Sequence, residues 1–164
     1  LALAAGLLHE PSLLILDEPT TGVDPVSRRE FWQLLYQMNL SGMTILIATP
    51  YMDEAEYCHR VAFMANGVLR EARTPAQLKA AYPYDLLAAD QPMAAVAGTL
   101  HSFNDLVIEV HPMGARTHVA VTDADAFLEQ WQQASALGTI WRKIEPSLED
   151  VFLAMTEAVE HAGS

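Results

Sequence analysis

The sequence predicts an α/β layer built on a parallel sheet over residues 1–84, followed by a small α+β unit over residues 85–164. In the first part, two continuous apolar segments flank an amphipathic helical pattern, as in a β-α-β crossover. In the second part, the predicted order β-α-β-β-α-β is that of a ferredoxin-like unit. The charge is also uneven: the first part holds six Lys/Arg and nine Asp/Glu, and the second holds three and twelve. We therefore expect two regions with different surfaces.

The composition narrows the class of protein. With 51% hydrophobic residues over 164 positions, the chain has the composition of a globular protein. Its apolar runs are shorter than the roughly 18 residues that a membrane span needs. Cys58 is the single cysteine, so an internal disulfide framework is excluded and a reducing compartment fits. The net charge of −12 argues against a broad nucleic-acid-binding face.

Two apolar runs predict the strands of the first part. Leu1–Leu8 has the pattern of a short buried helix, and Leu13–Leu16 follows as the first strand. Met43–Thr49 is the second. Because both runs lack polar alternation, we expect strands covered on both faces, as in a parallel sheet. The chain opens inside an apolar helical pattern without an initiator Met, so we expect it to be the C-terminal part of a longer protein.

A helix connects these strands. Asp24 followed by Pro25 offers an N-cap with proline at the first helical position, and Gly42 is the expected end. Arg28 falls on the polar side of this helix. The apolar positions that recur at helical spacing are Phe31, Leu34, Leu35 and Met38.

The remaining elements are marked by turn and cap residues. Met52–Glu56 predicts a short acidic helix, Asn66-Gly67 a tight hairpin, and Thr74–Gln77 a capping box. Beyond residue 84, we expect strands at 85–90, 106–111, 117–122 and 139–145, with helices at 92–100 and 123–136. Ser147 and Asp150 resemble a second capping box, which begins the last helix with Val151, Phe152, Met155 and Val159 inward.

The first strand ends in two acids, Asp17 and Glu18. Nucleotide hydrolysis needs a magnesium ion near the phosphates and a water oriented for in-line attack. Open α/β sheets bind ligands at the carboxyl ends of their strands, so Asp17 is placed for the metal and Glu18 for the water. An acidic pair alone fits equally well a strand end followed by a solvated turn.

The longer segment that contains this acidic pair is a more specific signal than the pair alone. LLILDEPTTGVDP at 13–25 resembles the Walker B and D-loop of ATP-binding cassette (ABC) ATPases, and it is followed in order by YMDEAE at 51–56, RVA at 60–62 and an Asn-Gly hairpin. The closing SLEDVFL at 147–153 is similar to the end of many drug-export cassettes. The resemblance implies a partial P-loop NTPase fold over residues 1–84.

The resemblance also implies site roles. Asp17 would hold magnesium through water, Glu18 would be the catalytic base or the group that positions the water, and Asp24 would touch a facing cassette. ATP and Mg²⁺ would be the cofactors of the full-length protein. The partners would be a second cassette and membrane permease subunits, with the protein cytoplasmic and peripheral at the inner face of the membrane.

Two departures from the family pattern change this expectation. No G-x-x-x-x-G-K-[ST] loop is present, so we expect this chain alone to bind ATP weakly or not at all. Pro50 stands where the family has a switch histidine, and proline offers no side-chain donor and no N–H. The segment Thr49–Glu56 looks like the first cassette of tandem-cassette exporters, which predicts a slow or degenerate site.

Other interpretations stay open. The chain could be a regulatory or assembly module without catalysis, with residues 85–164 as its active part. A chromosome-maintenance or DNA-repair ATPase would share the Walker B string, but such proteins lack the YMDEAE segment and the tail.

Several other residues are of types found in functional sites. A metal pair at His111 and His118 is less expected than two surface histidines, because no third ligand has suitable spacing. For His59 we expect a solvated helix end, and for Cys58 a small core residue. The remaining candidates are Trp131 and Trp141, expected to pack in a core, and Asp53, Glu54 and Glu56, expected to form a solvated helix face.

Overall fold

The computed structural model describes residues 6–69, 72–134 and 138–162, with side chains as far as Thr156. The strands are β1 (Leu13–Asp17), β2 (Thr44–Ala48), β3 (Met64–Ala65), β4 (Val68–Leu69), β5 (Asp85–Ala89), β6 (Val107–Met113), β7 (Arg116–Val121) and β8 (Trp141–Ile144). The helices are α1 (Pro25–Leu40), α2 (Met52–Ala55), α3 (Pro75–Ala80), α4 (Met93–Leu100), α5 (Ala124–Ala134) and α6 (Leu148–Ala162). A short 3₁₀ turn, His101–Phe103, follows α4.

Strands β1 and β2 are parallel neighbours, as predicted, with Leu13 opposite Thr44 and Asp17 opposite Ala48. Helix α1 covers one face of this pair. The expectation of cover on both faces is wrong for the described residues, because Ile15 is 65% exposed and Leu46 is 58% exposed. The uninterrupted apolar run is correct as a strand signal, but α1 alone covers only one side.

Helix α1 begins as predicted. Asp24 caps it through Oδ1, which accepts the amides of Val26 and Ser27 at 3.0 and 3.1 Å. The predicted inward stripe is confirmed at three of its four positions: Leu35 is buried, and Phe31 and Met38 pack against the same cluster. Leu34 is exposed, and the ring of Trp32 is buried in the cluster.

The tight hairpin β3–β4 forms where Asn66-Gly67 predicts it. Asn66 has φ 50° and Gly67 φ 74°, which is the pair of left-handed residues that a two-residue hairpin turn needs. Thr74 and Gln77 then form the predicted capping box of α3, with both reciprocal hydrogen bonds present.

The second part contains the predicted ferredoxin-like unit. Its four strands lie in the order β6-β7-β5-β8, all antiparallel, and its two helices follow β5 and β7 in the chain. The core between helices and sheet contains four aromatic side chains, Phe103, Phe127, Trp131 and Trp141, of which Phe127 is fully buried. The hairpin turn of β6–β7 lies at Gly114, and Pro112 sits within β6, an edge strand where a missing N–H is tolerated.

Helix α6 packs against both parts of the chain. Leu148 and Val151 lie in one cluster with Ala55, Phe63 and Leu78 of the first part. On the other side, Asp150 Oδ1 lies 2.9 Å from the Nδ1 of His118 on β7. The division at residues 84/85 stays a prediction, and α6 contributes to the packing on both sides of it.

Helix α6 is capped as predicted. Asp150 Oδ2 accepts the amide and the hydroxyl of Ser147 at 2.8 and 2.6 Å. Burial acts to raise the pKa of Asp150, but hydrogen bonds from His118 and Ser147 outweigh it and lower the pKa below its ordinary 3.8. The side chain of Val159 lies outside the described residues.

The predicted helix Leu1–Leu8 lies mostly outside the described residues. Gly6 and Leu7 have helical backbone, but Leu8 is exposed, so the prediction of a buried segment fails at that position. In the part of the chain that the structure describes, no helix has the length and apolar character needed to cross a membrane.

Candidate functional site

The structure brings Asp17, Glu18 and Pro50 to one edge of the parallel strand pair. Asp17 is the last residue of β1 and lies opposite Ala48, the last residue of β2. The amide of Glu18 donates to the Ala48 carbonyl at 2.8 Å, which extends the ladder by one residue. Both acids and Pro50 are exposed, so this edge is open to a ligand from solvent.

Glu18 has an unusual backbone. Its φ of 43° lies in the left-handed region, which costs a non-glycine residue roughly 1–2 kcal/mol. The turn that follows is closed by hydrogen bonds from Thr21 N to Glu18 O and from Val23 N to Thr20 O. The Thr21 hydroxyl donates to Glu18 Oε2 at 3.1 Å. Local strain of this kind is often found where a side chain must be held for function.

Asp24 does not join this edge through its side chain. The same oxygen that caps α1 receives both amide donors, and hydrogen bonds from the side chain and backbone of Ser27 lower the pKa of Asp24 below 3.8. Asp24 is exposed. What the structure shows for Asp24 is therefore a capping role at the start of α1.

The acidic cluster of α2 is not a uniformly solvated face. Asp53 is exposed and Glu56 pairs with Lys79 at 2.6 Å, but Glu54 is 1% exposed. Its Oε1 accepts the Thr20 hydroxyl at 2.5 Å and its Oε2 accepts the Thr49 hydroxyl at 2.8 Å. The prediction was wrong for Glu54, because threonine hydroxyls from two loops replace the water that an exposed carboxylate would bind.

Arg28 also departs from its prediction. It does not point to the solvated side of α1, since its Nε lies 3.5 Å from Glu54 Oε1 and its guanidinium lies 4.8 Å from the centre of the Tyr51 ring. The sequence did not predict that Arg28, Glu54 and Tyr51 lie together. The one available signal was Glu54 lying next to Ala55 on a helix too short to have a separate polar face.

The donor chemistry at the strand edge suits magnesium. Mg²⁺ prefers oxygen ligands, keeps several waters and is usually held by one or two carboxylates together with substrate phosphates. Asp17 supplies such a carboxylate at an open position. The phosphate-binding loop of a nucleotide site would have to come from residues beyond this chain's sequence, which lacks the G-x-x-x-x-G-K-[ST] pattern.

The histidine pair behaves differently from the prediction of surface residues. His111 and His118 are directly opposed on β6 and β7, and both side chains are largely buried. His111 Nε2 lies 3.1 Å from Glu109 and His118 bonds Asp150. Each ring thus has its own carboxylate, and among the described residues no three potential ligands form a metal cluster.

The predictions for the other candidates agree with the structure. His59 is exposed, and Cys58 is half-buried beside the β1–β2 core. Burial, and then the charge of Glu54, raise the pKa of the Cys58 thiol. Trp131 and Trp141 pack edge to face in the ferredoxin-like core, with ring centres 5.3 Å apart.

The fold and the strand edge together define the class of protein to which the first part belongs. Parallel strands with a crossover helix and an acidic pair at their carboxyl end place the first part among α/β proteins that bind ligands beyond that strand edge, consistent with a partial P-loop NTPase fold.

Comparisons with known proteins are specific about the family. The Nod factor export ATP-binding protein I of Rhizobium etli is 33% identical over 167 residues, which is 95% of this chain and 49% of that protein. The probable multidrug ABC transporter ATP-binding protein YbhF of Escherichia coli is 52% identical over 80 residues, 49% of this chain and 14% of that protein. No family model matches the chain.

Among solved structures, cbiO1 from Clostridium perfringens, described as part of the ABC transporter complex cbiONQ, is similar to this chain. It is 39% identical, with a TM-score of 0.44, over 49% of this chain and 33% of its own. The chain spans about half or less of the length of the curated relatives that it matches. This chain belongs to the family of ABC transporter ATP-binding proteins.

Proposed function

We propose that this chain is part of the ATP-hydrolysing subunit of an ABC exporter that removes drugs or other hydrophobic substrates from the cell. The observation that carries the proposal is the meeting of Asp17, Glu18 and Pro50 at one open strand edge. The names of the relatives support export: one is called a probable multidrug transporter protein and another a Nod factor export protein.

Glu18 is the proposed catalytic base. In hydrolysis, a water attacks the terminal phosphorus of ATP in line with the leaving diphosphate, and its proton passes to a carboxylate oxygen of Glu18. The strained turn and the Thr21 hydroxyl hold that carboxylate at the end of β1. Asp17 would hold Mg²⁺ through water, and the ion would neutralise the charge that develops on the phosphates.

Pro50 makes this site slow in the proposal. A histidine at this position could donate a hydrogen bond to the terminal phosphate, whereas proline has no donor at all. The site that uses the β1 edge of this chain would then turn over less rapidly than a second site in the same assembly. Unequal turnover at the two sites fits a protein with two cassettes, and this chain would be part of the first cassette.

A second cassette and permease subunits are the proposed partners. Asp24, at the exposed start of α1, lies in the segment that would face a second cassette. The apolar face formed by Leu13, Ile15 and Leu46 would be covered by other strands and helices of the full-length protein, since such a face is poorly tolerated in water. Permease subunits would receive the motion at the cytoplasmic face of the membrane.

The test is Mg²⁺-dependent ATP hydrolysis by the full-length protein with Glu18→Gln, made in a background where the catalytic carboxylate of the second cassette is replaced by an amide, so that the turnover measured belongs to this site. We expect ATP binding to be retained and turnover at this site to fall about 100-fold, in line with the loss of a general base. Glu30→Gln, on the exposed side of α1, is the control and should leave turnover unchanged. Turnover in that background that Glu18→Gln leaves unchanged would instead favour a regulatory or assembly role for this chain.

A further inference from the structure

Glu54 is a buried carboxylate that the proposed hydrolysis does not use. It lies on α2, a helix of four residues, and its side chain is 1% exposed although both neighbouring acids reach solvent. An ionised carboxylate is expensive to bury unless hydrogen bonds and opposite charge replace the lost water. The cost indicates that Glu54 is held there by specific partners.

Those partners come from three separate segments. Thr20 follows Asp17 and Glu18 in the loop after β1, and its hydroxyl donates to Oε1 of Glu54. Thr49 immediately precedes Pro50, and its hydroxyl donates to Oε2. Each oxygen of one carboxylate therefore binds one of the two loops that form the candidate site.

Further contacts fix the orientation of this cluster. The Thr49 oxygen also accepts the amide of Tyr51 at 3.1 Å, so its hydroxyl proton is left for Glu54. Arg28 brings positive charge to 3.5 Å from Glu54 and lies over the ring of Tyr51. Thr20 is as fully buried as Glu54 itself, which leaves water little access to compete for these hydrogen bonds.

We propose that Glu54 is a positioning residue that ties the Asp17–Glu18 loop to the Thr49–Pro50 segment. Through Thr20 it holds the turn that carries Glu18, and through Thr49 it holds the residue that precedes Pro50. The separation between the water-activating carboxylate and position 50 is thereby fixed before any substrate binds. This inference rests on the proposed hydrolysis at the β1 edge, but its structural part can be tested without ATP.

The first experiment measures amide hydrogen exchange by NMR in this chain. Two amides report on the two loops: Val23 N–H, bonded to the Thr20 carbonyl, and Tyr51 N–H, bonded to the Thr49 hydroxyl. In Glu54→Gln we expect both amides to exchange at least tenfold faster. Glu56→Gln is the matched control, since it makes the same change at the C-cap of the same helix, where the partner is Lys79, and it should alter neither amide.

The coupling itself is tested with threonine variants. Thr20→Val removes the hydroxyl at nearly constant volume and should speed exchange at Tyr51, in the opposite loop. Thr20→Ser keeps a hydroxyl and should restore slow exchange. If Glu54→Gln fails to fold, these two variants carry the test, because Glu54 binds the Thr20 hydroxyl with one oxygen and the Thr49 hydroxyl with the other. Acceleration at Val23 without any change at Tyr51 would overturn the proposal.

The second experiment measures ATP turnover by the full-length protein in the same background, with the second cassette inactivated. Glu54 is buried and acts through Thr20 and Thr49. Glu54→Gln should therefore lower kcat at least tenfold while KM for ATP stays within about twofold. Glu56→Gln should leave both unchanged. Equal changes in kcat and KM, or none, would overturn the positioning role. Should Glu18→Gln also leave turnover intact, the proposed hydrolysis fails, whereas the exchange result still decides whether Glu54 ties the loops.

Discussion

Leu148 at the start of α6 is the most informative position for the stability of this chain. Its side chain is 1% exposed and packs with Phe63, Leu78 and Val151. Replacing such a leucine with alanine removes its buried methyl groups and leaves a cavity, which costs about 3 kcal/mol. With a urea dependence of about 2 kcal/mol per M for a chain of this size, the unfolding midpoint should fall by about 1.5 M.

The assay is equilibrium urea unfolding of this chain, followed by circular dichroism at 222 nm. Leu40→Ala is the matched control, because Leu40 also lies at a helix end but is 64% exposed. It should change the free energy of unfolding by less than about 0.5 kcal/mol. A loss below 1 kcal/mol for Leu148→Ala, or one equal to that of Leu40→Ala, would refute the packing of α6 described above.

Three further predictions concern single groups. Pro50→His in the full-length protein should raise ATP turnover severalfold, because it adds a donor at the strand edge, and an unchanged rate would show that this position does not limit hydrolysis. The hydrogen bonds to Asp150 make it a net source of stability, so Asp150→Asn should cost about 2 kcal/mol at pH 7. Because the pKa of Asp150 is lowered in the fold, this stability is present above pH 3.8 and is lost as the pH falls through the lowered value. In urea unfolding, the difference in stability between wild type and Asp150→Asn should therefore be smaller at pH 3 than at pH 7. A difference that stays constant would contradict the bond to His118. Cys58 has a raised thiol pKa, so iodoacetamide at pH 8 should label the folded chain more slowly than the urea-unfolded chain. Glu54→Gln removes a nearby negative charge and should speed labelling of the folded chain. Equal rates in the folded, unfolded and Glu54→Gln samples would contradict the burial and charge assigned to this thiol.

Much of the fold could be predicted because its signals are local. The strand β1, the cap at Asp24, the Asn66-Gly67 turn and the β-α-β-β-α-β order each depend on residues close together in the chain. The acidic pair could be predicted for the same reason, since a continuous apolar run followed directly by two acids defines it.

The errors concern features that depend on distant partners. Glu54 looks solvated by its sequence neighbours, and it is buried because Thr20, 34 residues away, supplies a hydroxyl. Ile15 looks like a core residue, but whether a strand face is covered depends on what packs on it. Similarly, His118 was expected at the surface, although α6 returns to cover it and brings Asp150 within 2.9 Å.

The central claim is that the end of β1 is where magnesium and nucleotide meet, and Mn²⁺ binding measured by electron paramagnetic resonance tests it most directly. Mn²⁺ replaces Mg²⁺ at oxygen ligands, and the titration is made on full-length protein in the presence of ATP. Asp17→Asn should weaken Mn²⁺ binding about tenfold, equivalent to about 1.4 kcal/mol, while Asp105→Asn, at an exposed position in the second part, should leave it unchanged. Equal Mn²⁺ affinity in wild type and Asp17→Asn would contradict the claim.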